Sequence, residues 1–244
     1  MKFLGLIFRN VLRNRRRTIL TVLSIAISLF LISTLRTLLE ALESPPLTED
    51  SATRVLTRHQ TSLANLMPIA YRDRIRQIPG VHEVSVYQWF GGVYKDPANF
   101  FAQFAVDADR FFDVYPDVHP LTPEQKQDFI RERTAALAGI NLAKRFGWNI
   151  GDRITLQGTF ANGNVELLIK GFVHGGGSDG ILLFHYDYMS ELFPYFNGTS
   201  TFAIKVRSAE EIPVVIDAID SAFVNSTAPA RTETEEAFIL GFMS

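Results

Sequence analysis

Apolar residues follow three rhythms along this chain, and each rhythm predicts a different kind of element. From Thr18 to Leu35, eighteen residues (TILTVLSIAISLFLISTL) carry no charge at all. As a helix, such a run rises roughly 27 Å at ~1.5 Å per residue, close to the hydrocarbon thickness of a bilayer. It predicts a membrane helix over residues 18–42. Arg36 is compatible with this, because a long basic side chain near a helix end reaches back to the headgroups. Ser44-Pro45-Pro46 then stops the helix.

Beyond residue 50 the rhythm changes. Met67, Tyr71, Ile75 and Ile78 recur on one helical face, with Arg72, Asp73 and Arg76 opposite, and Pro79-Gly80 ends that segment. Strands are predicted over Val81–Tyr87 and 100–106, and a broken helical stretch from about 109 to 146, interrupted at Pro116, Pro120 and Pro123. Period-two alternation is clearest between Arg153 and Gly171. There Ile154 and Leu156 answer Leu167 and Ile169 across Asn162-Gly163, a favoured hairpin turn. The segment HGGGSDG reads as a flexible loop before a strand at Ile181–Phe184. Phe202, Ile204 and Val206 alternate in the next strand, and Ile212, Val215, Ile216, Ile219 and Phe223 form a helical stripe. Ser208 and Glu211 have capping-box spacing, but Pro213 would sit where an N–H is needed, so that helix is expected to start later. Helices mixed with antiparallel hairpins give an α+β class.

Charge decides the orientation of the first helix. Lys2, Arg9, Arg13, Arg15, Arg16 and Arg17 precede it with no acidic residue among them, whereas Glu40, Glu43, Glu49 and Asp50 follow. Basic flanks stay on the cytoplasmic side, so Arg9, Arg13, Arg15, Arg16 and Arg17 are the topology-determining cluster, with the main domain outside. A cleaved secretory signal would be shorter and would end at a small-x-small site, which RTLLEALESPP does not offer. Leader residues 1–17 carry Phe3, Ile7 and Val11 at helical spacing, compatible with an amphipathic interfacial segment or a solvated basic tail.

Composition then removes whole classes of function. Without the leader's six charges, 18 basic residues face 26 acidic ones, a net −8 that speaks against nucleic acid as a partner of the exported part. The chain has no cysteine, hence neither a disulfide nor a thiolate site nor a Cys nucleophile. His174-Gly175-Gly176-Gly177 and Gly176-Gly177-Ser178-Asp179-Gly180 imitate esterase motifs, but they overlap in one loop followed by a strand, whereas a nucleophile elbow leads into a helix. No Gly-Lys-Ser/Thr follows these glycines, so the chain is no ATPase. The histidines at 59, 82, 119, 174 and 185 show no metal-ligand spacing. Asp107 and Asp109 could attract a cation, though turn formation is the usual role of such residues. Two sequons, at Asn197 and Asn225, are short enough to arise by chance. No catalytic, cofactor or metal site is expected.

The opening Leu6–Ser28 segment, LIFRNVLRNRRRTILTVLSIAIS, resembles the start of MacB/FtsX-type ABC transporter permeases. Three further segments agree in order and spacing: Ile78-Pro79-Gly80-Val81; Ala138-Gly139 through Gly147-Trp148 to Gly151-Asp152-Arg153-Ile154-Thr155-Leu156; and Thr232-Glu233-Thr234-Glu235-Glu236-Ala237-Phe238. The resemblance implies one transmembrane helix followed by a mixed α/β periplasmic domain with an inserted β-rich subdomain. Residues 50–110 and 196–236 would form the two halves of a porter-like part, 111–195 the insertion, and 237–244 the lead-in to a second membrane helix. The implied function is that of a non-enzymatic permease subunit in the bacterial inner membrane. It would pass ATP-driven motion from a cytoplasmic ABC ATPase to the periplasm, paired with a second permease subunit and engaging an adaptor or substrate protein. Family permeases carry three more membrane helices, so the resemblance also implies a longer parent protein. A membrane-anchored binding or adaptor domain that borrows the fold is the alternative.

Overall fold

A computed structural model describes residues 13, 15–43, 50–159 and 163–243. It divides into two compact units, Met1–Pro46 and Leu47–Ser244. Within the first, α1 (Arg15–Glu43) is a single helix whose Arg15–Leu38 stretch is long and apolar enough to cross a membrane. Three hydroxyls on it donate to carbonyls one turn back: Thr21 to Arg17 at 2.8 Å, Thr34 to Phe30 at 2.8 Å and Thr37 to Ser33 at 2.9 Å. This pattern disposes of polar groups that lipid cannot satisfy. The expected interfacial leader, apart from Arg13 and Arg15–Arg17, and the Ser44-Pro45-Pro46 stop lie outside the described residues.

The second unit is built on one mixed sheet. Its strands are β1 (Arg54–His59), β2 (Val81–Trp89), β3 (Gly92–Val93), β4 (Ala102–Val106), β5 (His119–Pro120) and β6 (Ala135–Gly139). They continue with β7 (Arg153–Gly158), β8 (Asn164–His174), β9 (Ile181–His185), β10 (Thr201–Val206) and β11 (Ala230–Thr234). The order is β11-β1-β10-β2-β4-β9-β6-β8-β7-β3, with β5 laid on the end of β8. Among the described residues, only β4 with β9 and β6 with β8 run parallel. Helices α2 (Tyr71–Arg76), α3 (Phe111–Val114), α4 (Pro123–Arg131), α5 (Ile140–Phe146), α6 (Tyr186–Leu192), α7 (Ile212–Phe223) and α8 (Glu235–Met243) complete it.

Topology forces the far part of the sheet to curl. β3 begins three residues after β2 ends, a reach of about 10 Å at most. Yet β3 pairs with β7, which is five strand spacings from β2, roughly 24 Å across a flat sheet. The strands from β2 to β7 therefore bend round until the last meets the first. Gln103 holds this closure, accepting from Gly92 N at 2.7 Å and donating to Gly92 O at 2.8 Å.

Both faces of the sheet are covered. Val55, Ala136, Ala138, Leu182, Phe184, Phe202 and Ile204 belong to one apolar cluster; their neighbours Leu56, Ala135, Leu137, Leu183 and Ala203 belong to another. A strand buried on both faces reads as a continuous apolar run and loses its alternation. For this reason β6 corrects the sequence reading. AALAG, expected to be helical, is a fully buried central strand, and only α5 after it is a helix. The predicted helix from Met67 is also shorter. Met67 instead exchanges backbone hydrogen bonds with Thr199 at 2.8 and 2.9 Å, because Pro68 disfavours helical backbone at the residue before it. The hairpin takes the expected form, with β8 extended to His174; Asn162 in its turn lies outside the described residues. The helix after β10 begins at Ile212 with Pro213 in its first turn, and buries Ile212, Val215, Ile219 and Phe223.

The glycine run after β8 is a packed turn, which corrects the expected flexible loop. Gly175, Gly176 and Gly177 all have positive φ, and the chain folds back so closely that a Cβ on Gly139 would lie 2.2 Å from the Ser178 carbonyl oxygen. Gly139→Ala should therefore destabilise the domain by about 1–3 kcal/mol through overpacking. Gly180→Ala, in the same turn with open space around it, should be near neutral. Urea unfolding of both variants checks this; equal midpoints would refute the packing account.

Candidate functional site

The most unusual chemistry in the domain is a buried charge cluster where the chain comes in and goes out. Arg54, the first residue of β1, is 2 % exposed. Its guanidinium makes a forked pair with Asp117, at 2.6 and 3.0 Å, and donates through Nε to Glu235 at 2.7 Å. Asp117 lies between α3 and β5, and Glu235 is the first residue of α8. The Arg54 guanidinium also lies over the Tyr115 ring, 4.5 Å from its centroid. Tyr87 stacks beneath, 5.5 Å from Tyr115 and 4.1 Å from Phe104.

Local sequence explains each placement. β1 and β11 pair antiparallel, Val55 opposite Thr234, so Arg54 and Glu235 emerge side by side. Phe111, Phe112 and Val114 bury α3 and swing the following Tyr115 and Asp117 over β1. The incoming end is tied down again by Lys205, whose Nζ pairs with Asp50 at 2.7 Å. Electrostatics follow from burial. Burial acts to lower the Arg54 pKa, but the Asp117 hydrogen bond and the Glu235 charge outweigh it, and the net shift is upward. Burial raises the Glu235 carboxyl, and Arg54 opposes that only in part. Burial likewise pushes the Tyr115 phenol far up, so it remains a donor.

Arg13 and Arg15–Arg17 are exposed in or beside the first turn of α1; Arg9 lies outside the described residues. Asp107 is buried, accepting from Arg72 at 2.8 Å and from Val86 N at 2.9 Å, whereas the Asp109 side chain is 68 % exposed. The two do not share a site. Ser178 is fully buried and its hydroxyl donates to the Gly175 carbonyl at 2.7 Å, which leaves it no access to an ester. His185 is buried against the Phe129 carbonyl at 2.5 Å, and burial lowers its pKa. His119 and His174, 55 residues apart, face each other on paired strands. The Arg54 cluster went unseen in the sequence because its members are 63 and 181 residues apart.

Residues 18–222 match the MacB-like periplasmic core domain. The chain belongs to that family. It is therefore a MacB-like ABC transporter permease chain, and among the described residues one candidate transmembrane helix precedes its mixed-sheet domain. Among solved structures, the extracellular domain of the noncanonic ABC-type transporter YknZ from Gram-positive bacteria is similar. Its TM-score is 0.54 at 13 % identity, over 74 % of this chain and 99 % of that one. The periplasmic region of MacB from Actinobacillus actinomycetemcomitans gives 0.54 at 9 % identity, over 79 % and 93 %. At these identities the likeness concerns fold alone. No curated protein matches the chain by sequence.

Two substitutions test the cluster of this MacB-like domain. Arg54→Met leaves Asp117 and Glu235 buried without their cation, and should cost about 3–5 kcal/mol in urea unfolding followed by tryptophan fluorescence. A loss below ~1 kcal/mol would mean that the pair is solvated, as exposed pairs are. Glu235→Gln should alter the pH profile of stability. Because the native carboxyl is raised above its ordinary 4.5, the folded state holds the extra proton between that value and the raised one. Native stability attributable to Glu235 thus falls as pH climbs through that window and then levels off. The variant should lack this fall, and parallel profiles would contradict the assignment.

Proposed function

We propose that the chain is the N-terminal part of a permease subunit of a MacB/FtsX-like ABC transporter. It would pass ATP-driven motion from a cytoplasmic ATPase into a periplasmic domain for export or extraction of a substrate. One observation carries this reading beyond family membership: the polypeptide comes into and leaves the Leu47–Ser244 unit on adjacent strands, joined by the Arg54–Glu235 pair. Two connectors meeting at one point suit a domain that is moved as a body. In this reading residues 50–110 and 196–236 form the porter-like part and 111–195 the inserted part. Residues 237–244, with apolar Phe238, Ile239 and Leu240, lead toward a second membrane helix. The Arg9, Arg13, Arg15, Arg16 and Arg17 cluster holds the N-terminus in the cytoplasm, and the domain stands outside the inner membrane. The partners are an ABC ATPase, a second permease subunit and a periplasmic adaptor or substrate protein.

Isolation of the native membrane protein in mild detergent should retain an ATPase subunit. Its consistent absence would sink the permease reading and leave an anchored binding or adaptor domain. In the same strain, a reporter active only in the periplasm should work when fused after Pro46. Activity when fused at residue 5 would reverse the orientation, and replacing Arg13, Arg15, Arg16 and Arg17 by Glu should weaken it.

A further inference from the structure

β5 is a strap of two residues, His119 and Pro120, laid against the end of β8. His119 sits directly opposite His174, so the two side chains project from the same face of the antiparallel pair. Both are exposed, and their ring centroids are 5.6 Å apart at an interplanar angle of 53°. That separation and tilt are not those of stacked rings. They do fit a shared metal ion: with Zn–N bonds of about 2.0–2.1 Å and tetrahedral angles, the centroids of two ligating imidazoles sit roughly 5 Å apart.

The strap is held in place before any ion arrives. A Cβ on Gly175, whose φ is +81°, would lie 2.5 Å from the Asp117 carbonyl oxygen, so the chain on either side of the two histidines is in close contact. Leu121 N donates to Phe172 O at 3.0 Å on the far side of Pro120. The backbone that carries the two imidazoles is thus fixed on both strands, which reduces the ordering cost of chelation.

We infer that His119 and His174 form a two-histidine site for a divalent transition-metal ion of the imidazole-preferring class, Zn2+ first, with Cu2+ and Ni2+ as congeners. Among the described residues no third His, Cys, Asp or Glu joins the pair, so water fills the remaining positions. A hard cation such as Mg2+ or Ca2+, which seeks several oxygen ligands, has no comparable site there. The bound ion clips the strap to β8. Because Asp117 lies two residues before His119 and holds Arg54, the clip also fixes one wall of the buried charge cluster. The site does not depend on the transport reading.

The test uses the full chain, expressed without a histidine tag, purified in detergent and stripped with a chelator. ZnCl2 titrations by calorimetry should show one site in the native chain and in His82→Ala, an exposed histidine elsewhere on the domain. His119→Ala or His174→Ala should each weaken binding at least roughly tenfold, the loss that even an indirect partner of a metal site causes. The double variant should show none. Cu2+ electron paramagnetic resonance should report two equivalent nitrogens in the native chain and at most one in each single variant. Circular dichroism confirms that all variants fold, and saturating Zn2+ should raise the melting temperature of the native chain and His82→Ala alone. Native protein that takes up no Zn2+, or a folded double variant that binds as well as native, overturns the inference and leaves the rings as surface packing.

Discussion

A guanidinium taken out of water must be paired on every side, and Arg54 makes the ends of this domain meet that demand. Its desolvation is repaid only while both Asp117 and Glu235 stay within hydrogen-bonding distance. The first strand, the α3–β5 connection and the last helix are therefore bound to one another by a requirement stricter than apolar packing. A hydrophobic contact tolerates a slide of an ångström; a forked ion pair in a buried site does not. Replacing the cluster by apolar residues of equal volume could leave stability unchanged or even higher, which makes stability alone a poor reason for its presence. What the cluster adds is definition: it admits one relative placement of three chain segments.

The sheet supplies the stiffness behind that junction. Because apolar clusters cover both its faces, the central strands β6 and β9 contact side chains on either side, and the curl that brings β3 to β7 leaves fewer free edges. Buried glutamines take up polar demands around the β2–β3 corner. Gln88 accepts from Ser200 N at 2.6 Å while Gln103 pins Gly92, so the β2–β3 corner is fixed from both ends.

How much of this was legible in the sequence depended on whether a pattern was local. The Arg153–His174 hairpin and the α7 stripe are amphipathic, one face wet and one dry, and their periods could be read directly. β6 could not be read so: burial on both faces erases the alternation, and its three alanines carry helical propensity that tertiary context overrides. The charge cluster and the His119–His174 pair are products of register and topology, and single-sequence spacing has no access to either. The only trace of them is an Arg beginning an apolar strand, VLT, a position that calls for a partner without naming it.

In the proposed reading, this division of labour has a mechanical consequence. A connector that drives a domain must be joined to something that does not yield, or its displacement is absorbed at the joint. The joint here is the cluster together with the neighbouring Lys205–Asp50 pair, and Lys205–Asp50 and Arg54–Glu235 hold the incoming and outgoing segments to β10 and β1. Asp117 then extends the same joint into the 111–195 region, whose strands continue the sheet through the parallel β4–β9 seam. A displacement applied at residues 50 and 235 therefore reaches the far strands by two routes, one through the sheet and one through the ion pair. Of the two, only the ionic route can be released by a proton or by the loss of one side chain, and the sheet would persist when it is.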